Sequence, residues 1–145
     1  MYYEQFSELS ESLKVCLALY RAYAELARRF DGRLGTWHGL SFADFAVLLH
    51  LSKAPDGQLR RVDLAAALGL TPSAVTRMLI PLEKIGLVAR ERDARDARVG
   101  YAVLTKAGER ILREALESAE TISQEIVPAK AASQFGGLGT IVGRR

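Results

Sequence analysis

Residues 64–77 constrain the fold more than any other stretch of the sequence. A short helix is predicted up to Leu68, and Gly69 follows it as a left-handed cap. Thr71 is typical of a helix N-cap and Pro72 of the first position of a new helix. The pattern therefore predicts two helices joined by a tight turn, which is a helix-turn-helix. Small and branched side chains would let the two helices cross closely: Leu64, Ala65, Leu68, Leu70, Ala74, Val75 and Leu79.

A two-stranded hairpin is predicted directly after the second of these helices, which would end at Gly86. Residues 87–92 and 99–104 each alternate in polarity, and residues 93–98 between them are all charged or small. Helix-turn-helix and hairpin together make a winged helix. An arginine at the tip can enter a narrow minor groove of DNA, and we expect Asp93 to hold Arg98 so that Arg95 points outward. The other interpretation of the tip is a solvated turn.

Polar side chains dominate the exposed first half of the second helix: Thr71, Ser73, Thr76 and Arg77. A recognition helix meets base edges and phosphates with this half. The whole chain carries a net charge of +3, but residues 58–113 carry +5 and the flanks about −1 each. This favours a polyanionic partner, although a basic solvated surface is an alternative. A winged helix that docks on protein would instead present an apolar or acidic face.

Residues 1–33 show an apolar side chain every three or four positions, which predicts one long helix. Gly32 and Gly35 are expected to end it. Its stripe is larger than a small domain needs and could pack against a second copy of the chain. The stripe consists of Phe6, Leu9, Leu13, Cys16, Tyr20, Tyr23, Ala27 and Phe30.

Further helices are predicted on both sides of the winged helix. One begins at Ser41, with Asp44 completing a capping box, and ends near Lys53; another begins at Thr105 and runs to about Val127. Pro128 would kink or break the latter. The tail has helical spacing but also four glycines: its apolar residues are Phe135, Leu138, Ile141 and Val142. We predict a mainly α fold with a small β-wing, divided into residues 1–40 (dimerisation helix), 41–104 (winged helix-turn-helix) and 105–145 (dimerisation helices).

Composition and motifs exclude several classes of protein. Hydrophobic residues make up 49% of the 145 residues and charged residues 26%, as in ordinary globular domains. A single cysteine excludes a disulfide framework and a cysteine-rich zinc site. No phosphate loop, metal-binding pair or nucleophilic triad is recognisable, so we expect no enzyme, cofactor or metal. Without a bilayer-length apolar run or a signal-peptide pattern, we expect a cytoplasmic protein with no membrane partner.

Several motifs in this order resemble the multiple-antibiotic-resistance regulator (MarR) family of bacterial transcription factors. The resemblance covers nearly the whole chain. Its motifs, besides the long first helix and the helix-turn-helix, are Gly39-Leu40-Ser41, Leu82-Glu83-x-x-Gly86-Leu87-Val88-x-Arg90, the Asp-x-Arg-Asp-x-Arg wing of residues 93–98, and Leu104-Thr105-x-x-Gly108. The resemblance implies a homodimer formed by the terminal helices, which binds a palindromic operator in double-stranded DNA and is usually a repressor.

The resemblance also implies roles for individual residues. Ser73, Ala74, Thr76 and Arg77 would reach the major groove and Arg95 the minor groove. With Thr71 and the wing residues Arg92 and Arg98, they complete the expected DNA-binding set. Pro81 departs from the family pattern, and we expect a kink there or a short contact segment.

Two triggers for release from DNA remain open. One is a small aromatic or lipophilic acid between the dimer module and the DNA-binding lobe, with these candidate contacts: Tyr20, Tyr23, Trp37, His38, Phe42, Phe45 and His50. The other is oxidation of Cys16, whose surroundings resemble the organic-hydroperoxide-sensing branch of the family. The tyrosines that activate the thiol in that branch fall here at Phe30 and Phe42, and a phenyl ring cannot donate a hydrogen bond.

Overall fold

The computed structural model describes residues 8–138 of the chain. It is mainly helical with one small antiparallel sheet, as the sequence predicts. The elements in chain order are α1 (Glu11–His38), α2 (Phe42–Lys53), β1 (Gln58–Arg60), α3 (Arg61–Leu68), α4 (Pro72–Lys84), β2 (Val88–Arg92), β3 (Gly100–Leu104), α5 (Lys106–Ile126) and α6 (Ala129–Phe135). A single 3-10 turn, Pro55–Gly57, connects α2 to β1.

One hydrophobic core joins the second half of α1 to α2, to the helix-turn-helix and to α5. Leu34, Leu48 and Leu64 lie at its centre and are fully buried. Burial of apolar side chains of this size is the main favourable term in folding, since each contributes about 1.5–3 kcal/mol. The core therefore fixes α3 and α4 on one rigid scaffold.

The predicted hairpin is confirmed as β2 and β3, and a third strand extends it. The sheet has the order β1-β3-β2, and Ala102 of β3 lies between Leu59 and Arg90 in register. Sequence reasoning did not predict β1, because three residues are too few to show alternation. This strand leads directly into α3, so it ties the beginning of the helix-turn-helix to the wing.

The prediction that Gly32 and Gly35 end α1 is wrong. Both glycines lie inside the helix, which continues to His38 and ends at Gly39 with a φ of +69°. The N–H of Gly39 donates to the carbonyl of Gly35. A glycine inside a helix costs about 0.5–1 kcal/mol, and the burial of Leu34 between the two glycines offsets this cost.

Most of the predicted helix ends are confirmed. Ser41 and Asp44 form a reciprocal capping box at α2, and Gly69 has a φ of +67° after α3. Thr71 caps α4, and Thr105 caps α5. These signals act within four residues, so the local sequence suffices to predict them.

One residue of the helix-turn-helix departs from expectation, and another is accommodated inside its helix. Leu70, predicted to pin the helices together, is 43% exposed. Pro81 lies inside α4, which continues to Lys84 as one helix, so the missing N–H does not end it. The predicted kink or short contact segment at Pro81 stays a prediction.

The C-terminal region agrees with the predicted break at Pro128. Helix α5 ends at Ile126, and the short α6 follows from Ala129 to Phe135. Ile141 and Val142 of the predicted tail stripe lie outside the described residues, as does Phe6 of the N-terminal stripe. Within residues 8–138, no single helix is long and apolar enough to cross a bilayer; only α3 and α4 together pass such a test, with a bend of 104° between them.

Candidate nucleic-acid interface

The first turns of α4 present small polar groups and one cation. The hydroxyl of Thr71 accepts the N–H of Ala74 at 3.2 Å, and the hydroxyl of Thr76 donates to the carbonyl of Pro72 at 3.1 Å. Ser73 and Arg77 are exposed. On the opposite face the helix is anchored by side chains that are fully or almost fully buried: Val75, Leu79 and Leu82. The polar end of α4 is therefore held rigidly and remains open to a partner.

Asp93 organises the tip of the wing. One of its carboxylate oxygens, Oδ1, accepts the N–H groups of Arg95 at 2.7 Å and Asp96 at 3.1 Å. The hydroxyl of Tyr101 donates to the other oxygen at 3.2 Å. These three donors, the backbone N–H groups above all, lower the pKa of Asp93 because they favour its charged form.

The predicted pairing of Asp93 with Arg98 is wrong. Arg98 instead pairs with Asp96, with Nε 3.1 Å and Nη2 3.2 Å from the two carboxylate oxygens. The physical reason is local: the Asp93 carboxylate turns toward the backbone of its own loop, while Asp96 lies two residues from Arg98. The hydrogen bonds from Arg98 lower the pKa of Asp96.

The arginines of the winged helix-turn-helix, residues 41–104, fall into two groups. Arg60, Arg90 and Arg98 form ion pairs with Asp63, Glu83 and Asp96 respectively. Within residues 8–138, no carboxylate lies within 4.0 Å of the following arginines: Arg61, Arg77, Arg92 and Arg95. The second group can bind phosphate without first breaking an ion pair.

A cavity of about 330 Å³ lies between α3, α4 and the base of the wing. It is lined by Arg60, Arg61, Val62, Pro72, Thr76, Arg98, Val99 and Gly100. The cavity shows that the polar half of α4 and the wing border the same space. Sequence reasoning missed Arg60 and Arg61, although their place at the start of the +5 segment was a usable signal.

The aromatic candidates for effector binding divide between different places. Phe42 and Phe45 line a cleft of about 230 Å³ between α2 and α5, together with Phe30. Phe42 also borders a second cavity of about 270 Å³, which Tyr23 and His50 line. Most of the remaining wall of this second cavity is apolar: Ala43, Ala46, Ala67, Leu68, Leu70 and Met78.

The other three aromatic candidates lie apart from these two cavities. The ring of Trp37 packs under the guanidinium of Arg33, whose Cζ is 4.9 Å from the ring centre. The Nε2 atom of His38 lies 2.8 Å from the hydroxyl oxygen of Ser118, and this hydrogen bond joins α1 to α5. Tyr20 is 76% exposed on α1.

Cys16 is exposed on the first half of α1. Phe30 and Phe42 stack with their ring centres 4.1 Å apart. Phe30 lies roughly 21 Å along the same helix from Cys16, at a rise of about 1.5 Å per residue. In the part of the chain that is described, no three His, Cys, Asp or Glu side chains cluster as metal ligands would.

A sequence profile of the MarR family matches residues 38–99, which span α2, the helix-turn-helix and most of the wing. The chain is 28% identical over 118 residues to the transcriptional regulator HosA of Escherichia coli O157:H7. That match covers 79% of this chain and 86% of HosA.

Solved structures agree with these sequence matches. The transcriptional regulator BldR of Sulfolobus solfataricus superposes with a TM-score of 0.81 at 30% identity, covering 93% of this chain and 96% of BldR. The transcriptional repressor CouR, solved bound to a 23-mer DNA duplex, superposes with a TM-score of 0.78 at 26% identity. This match covers 95% of this chain and 100% of CouR.

Proposed function

Because this chain belongs to the MarR family of DNA-binding transcriptional regulators, we propose that it is a repressor that binds a palindromic operator as a homodimer. The observation that carries the proposal is the shared cavity between α3, α4 and the wing. Through it, the polar half of a recognition helix and an arginine-bearing wing act as one surface. The repressor CouR has been solved on a DNA duplex, which supports this mode of action.

Direct contact with bases is assigned to the exposed half of α4. Four residues of this half face the major groove: Ser73, Ala74, Thr76 and Arg77. Thr71 lies at the N-terminal end of the helix, where the helix dipole favours binding of phosphate. Arg95 enters the minor groove from the wing tip. Arg92 and Arg98 flank it and neutralise phosphates, although Arg98 must first exchange its bond to Asp96.

Dimerisation is supported by apolar side chains that the protomer leaves exposed. On α1, Leu13, Val15, Leu17, Tyr20 and Tyr23 are between 44% and 76% exposed. Leu116 of α5 and Phe135 of α6 are exposed as well, at 40% and 53%. Burial of such a surface against a second copy removes it from water, which is the main driving force of association.

The experiment is a titration of the purified protein against the DNA upstream of its own gene, with an unrelated duplex of equal length as control. Repressor function requires tight binding that weakens steeply with salt, since each neutralised phosphate contributes about 0.9 to the slope of log affinity against log salt. A docking module for protein partners would bind neither duplex. In a reporter strain, deletion of the gene should raise expression from the operator, and lowered expression would contradict repression.

Release by a small-molecule ligand is the regulation that we propose. The cavity lined by Tyr23, Phe42, His50 and Met78 suits an aromatic or lipophilic acid, because most of its wall is apolar and the imidazole of His50 forms part of it. Salicylate-like acids added to the bound complex should release the DNA. Phe42→Ala should abolish release while the salt dependence of DNA binding stays unchanged.

The alternative trigger is oxidation of Cys16, which its exposure permits. Within one protomer, Phe30 lies a long way along α1 from the thiol, and neither Phe30 nor Phe42 carries a hydroxyl group. Organic hydroperoxide should therefore release the wild type only if another group activates the thiol. If Cys16→Ser leaves peroxide-induced release unchanged, the thiol is not the trigger.

A further inference from the structure

Arg61 lies across the backbone of Gly100. Arg61 is the first residue of α3, and Gly100 is the first residue of β3, at the base of the wing. A Cβ atom placed on Gly100 would lie 2.6 Å from Nη2, 3.0 Å from Nε and 3.2 Å from Cζ of Arg61. The guanidinium therefore occupies the space that any side chain at position 100 would need.

The cavity beside this contact contains one arginine whose charge is not balanced. Arg60 bonds to Asp63 at 2.8 Å, and Arg98 bonds to Asp96 at 3.1 Å. Arg61 has no carboxylate within 4.0 Å among residues 8–138. Its side chain is half-buried and lies on the glycine, so it reaches the cavity already positioned. A positioned guanidinium loses less entropy when it forms hydrogen bonds than a free one.

We propose that Arg61 binds a phosphate of the DNA backbone in the cavity between α3, α4 and the wing, and that Gly100 positions it there. The inference rests on the DNA-binding function proposed above and adds a contact that lies outside the recognition helix and the wing tip. A guanidinium matches two phosphate oxygens with two parallel N–H donors. Phosphate contacts set the position of a protein on the duplex but carry no sequence information.

The contact between Arg61 and a phosphate would lie between α4 and the wing. Thr76 of α4 and Gly100 of β3 line the same cavity as Arg61. A phosphate held there is adjacent to both the helix that reads the major groove and the strand that leads from the wing tip. Arg61 thereby fixes the register of α4 and the wing relative to one phosphodiester.

The first test measures affinity against salt for Arg61→Ala, on both an operator duplex and an unrelated duplex. We expect roughly tenfold weaker binding to both, and a salt slope reduced by about one for each Arg61 that engages a phosphate. Arg61→Lys keeps the charge and should retain most of the slope. The control is Arg113→Ala, which removes an exposed arginine from α5, a helix that contributes nothing to this cavity.

The second test uses Gly100→Ala in a double-mutant cycle. The three atoms nearest to the added methyl all belong to the far end of a flexible side chain, so the fold should persist while the guanidinium is displaced. Binding should weaken in the wild-type background and change little in the Arg61→Ala background, because both substitutions remove one contact. Thermal unfolding of each variant confirms that the fold is intact.

Two results would overturn the inference. The first is an unchanged salt slope in Arg61→Ala while the wild type binds DNA normally, and the second is full additivity of the two substitutions. If the wild type binds no duplex at all, the proposed function fails, and this inference fails with it.

Discussion

The carboxylate of Asp93 accepts the backbone N–H of Arg95 at 2.7 Å, so an anionic residue holds the backbone of the cation expected to enter DNA. This is an Asx-turn, in which the side chain replaces a backbone acceptor two residues away. The hydroxyl of Tyr101 holds the second carboxylate oxygen from β3. Asp93 therefore shapes the wing tip through hydrogen bonds and not through an ion pair.

Asp93→Ala should weaken DNA binding several-fold, although it removes a negative charge from a surface that meets phosphate. The reason is that the N–H groups of Arg95 and Asp96 lose their acceptor and the tip no longer presents Arg95 in one conformation. Fluorescence anisotropy with a labelled operator measures the change. Asp93→Asn keeps one acceptor oxygen and should bind more tightly than Asp93→Ala. Tighter binding by Asp93→Ala than by the wild type would show that charge outweighs loop geometry.

The pH dependence of the wing follows from the lowered pKa of Asp93. A carboxyl whose pKa falls on folding stabilises the folded form above its unfolded pKa, about 3.9, and this contribution disappears as pH falls through the lowered value. The tip should therefore stay ordered from neutral pH down to about pH 4 and loosen below it. The amide resonances of Arg95 and Asp96 in NMR spectra should report this transition. A transition midpoint above about 3.9 would contradict the assigned hydrogen bonds.

Arg95→Ala should lower operator affinity by about 1–3 kcal/mol, the range for one specific groove contact. The effect should be larger on the operator than on an unrelated duplex, because a narrow minor groove is a feature of sequence. Arg110→Ala removes another exposed arginine, from α5, and serves as the control. Isothermal calorimetry on both duplexes measures the difference. Equal losses of affinity on the two duplexes would show that Arg95 contacts a phosphate and does not read the minor groove.

Gly108→Ala should destabilise the fold by about 1–3 kcal/mol. A Cβ at this position would clash with the carbonyl oxygen of Leu87, which is backbone and cannot move aside like a side chain. The close approach lets the first turn of α5 pack against the start of the wing. Gly32→Ala is the matched control: nothing lies within 4 Å of its Cβ, so it should stabilise α1 by about 0.5–1 kcal/mol. Chemical denaturation of both variants measures the two changes.

The sequence predicts those features of this fold that are encoded within a few residues. Gly69 and Thr71 delimit the helix-turn-helix because a left-handed cap and an N-cap depend on adjacent residues alone. The contact of Arg61 with Gly100 depends instead on the pairing of β1 with β3. The residues adjacent to Arg61 in the sequence therefore do not predict this contact. Sequence spacing alone does not predict the ion pair of the wing tip. Asp93 and Asp96 are both near Arg98 in the sequence, and only the loop conformation determines which of the two pairs with it.

Leu116→Glu should prevent assembly of the proposed dimer while each protomer stays folded. Leu116 is 40% exposed in the protomer, so a carboxylate there remains solvated in the monomer but would be buried without a partner in the interface. Leu13→Glu on α1 should act in the same way. Ile85→Glu is the control, because Ile85 is 61% exposed but lies at the end of α4 and is not part of the apolar surface of α1, α5 and α6 to which the dimer is assigned. Sedimentation should give monomers for the first two variants and the wild-type mass for the third, and DNA binding should weaken together with assembly. A Leu116→Glu variant that sediments as a dimer would place the interface elsewhere.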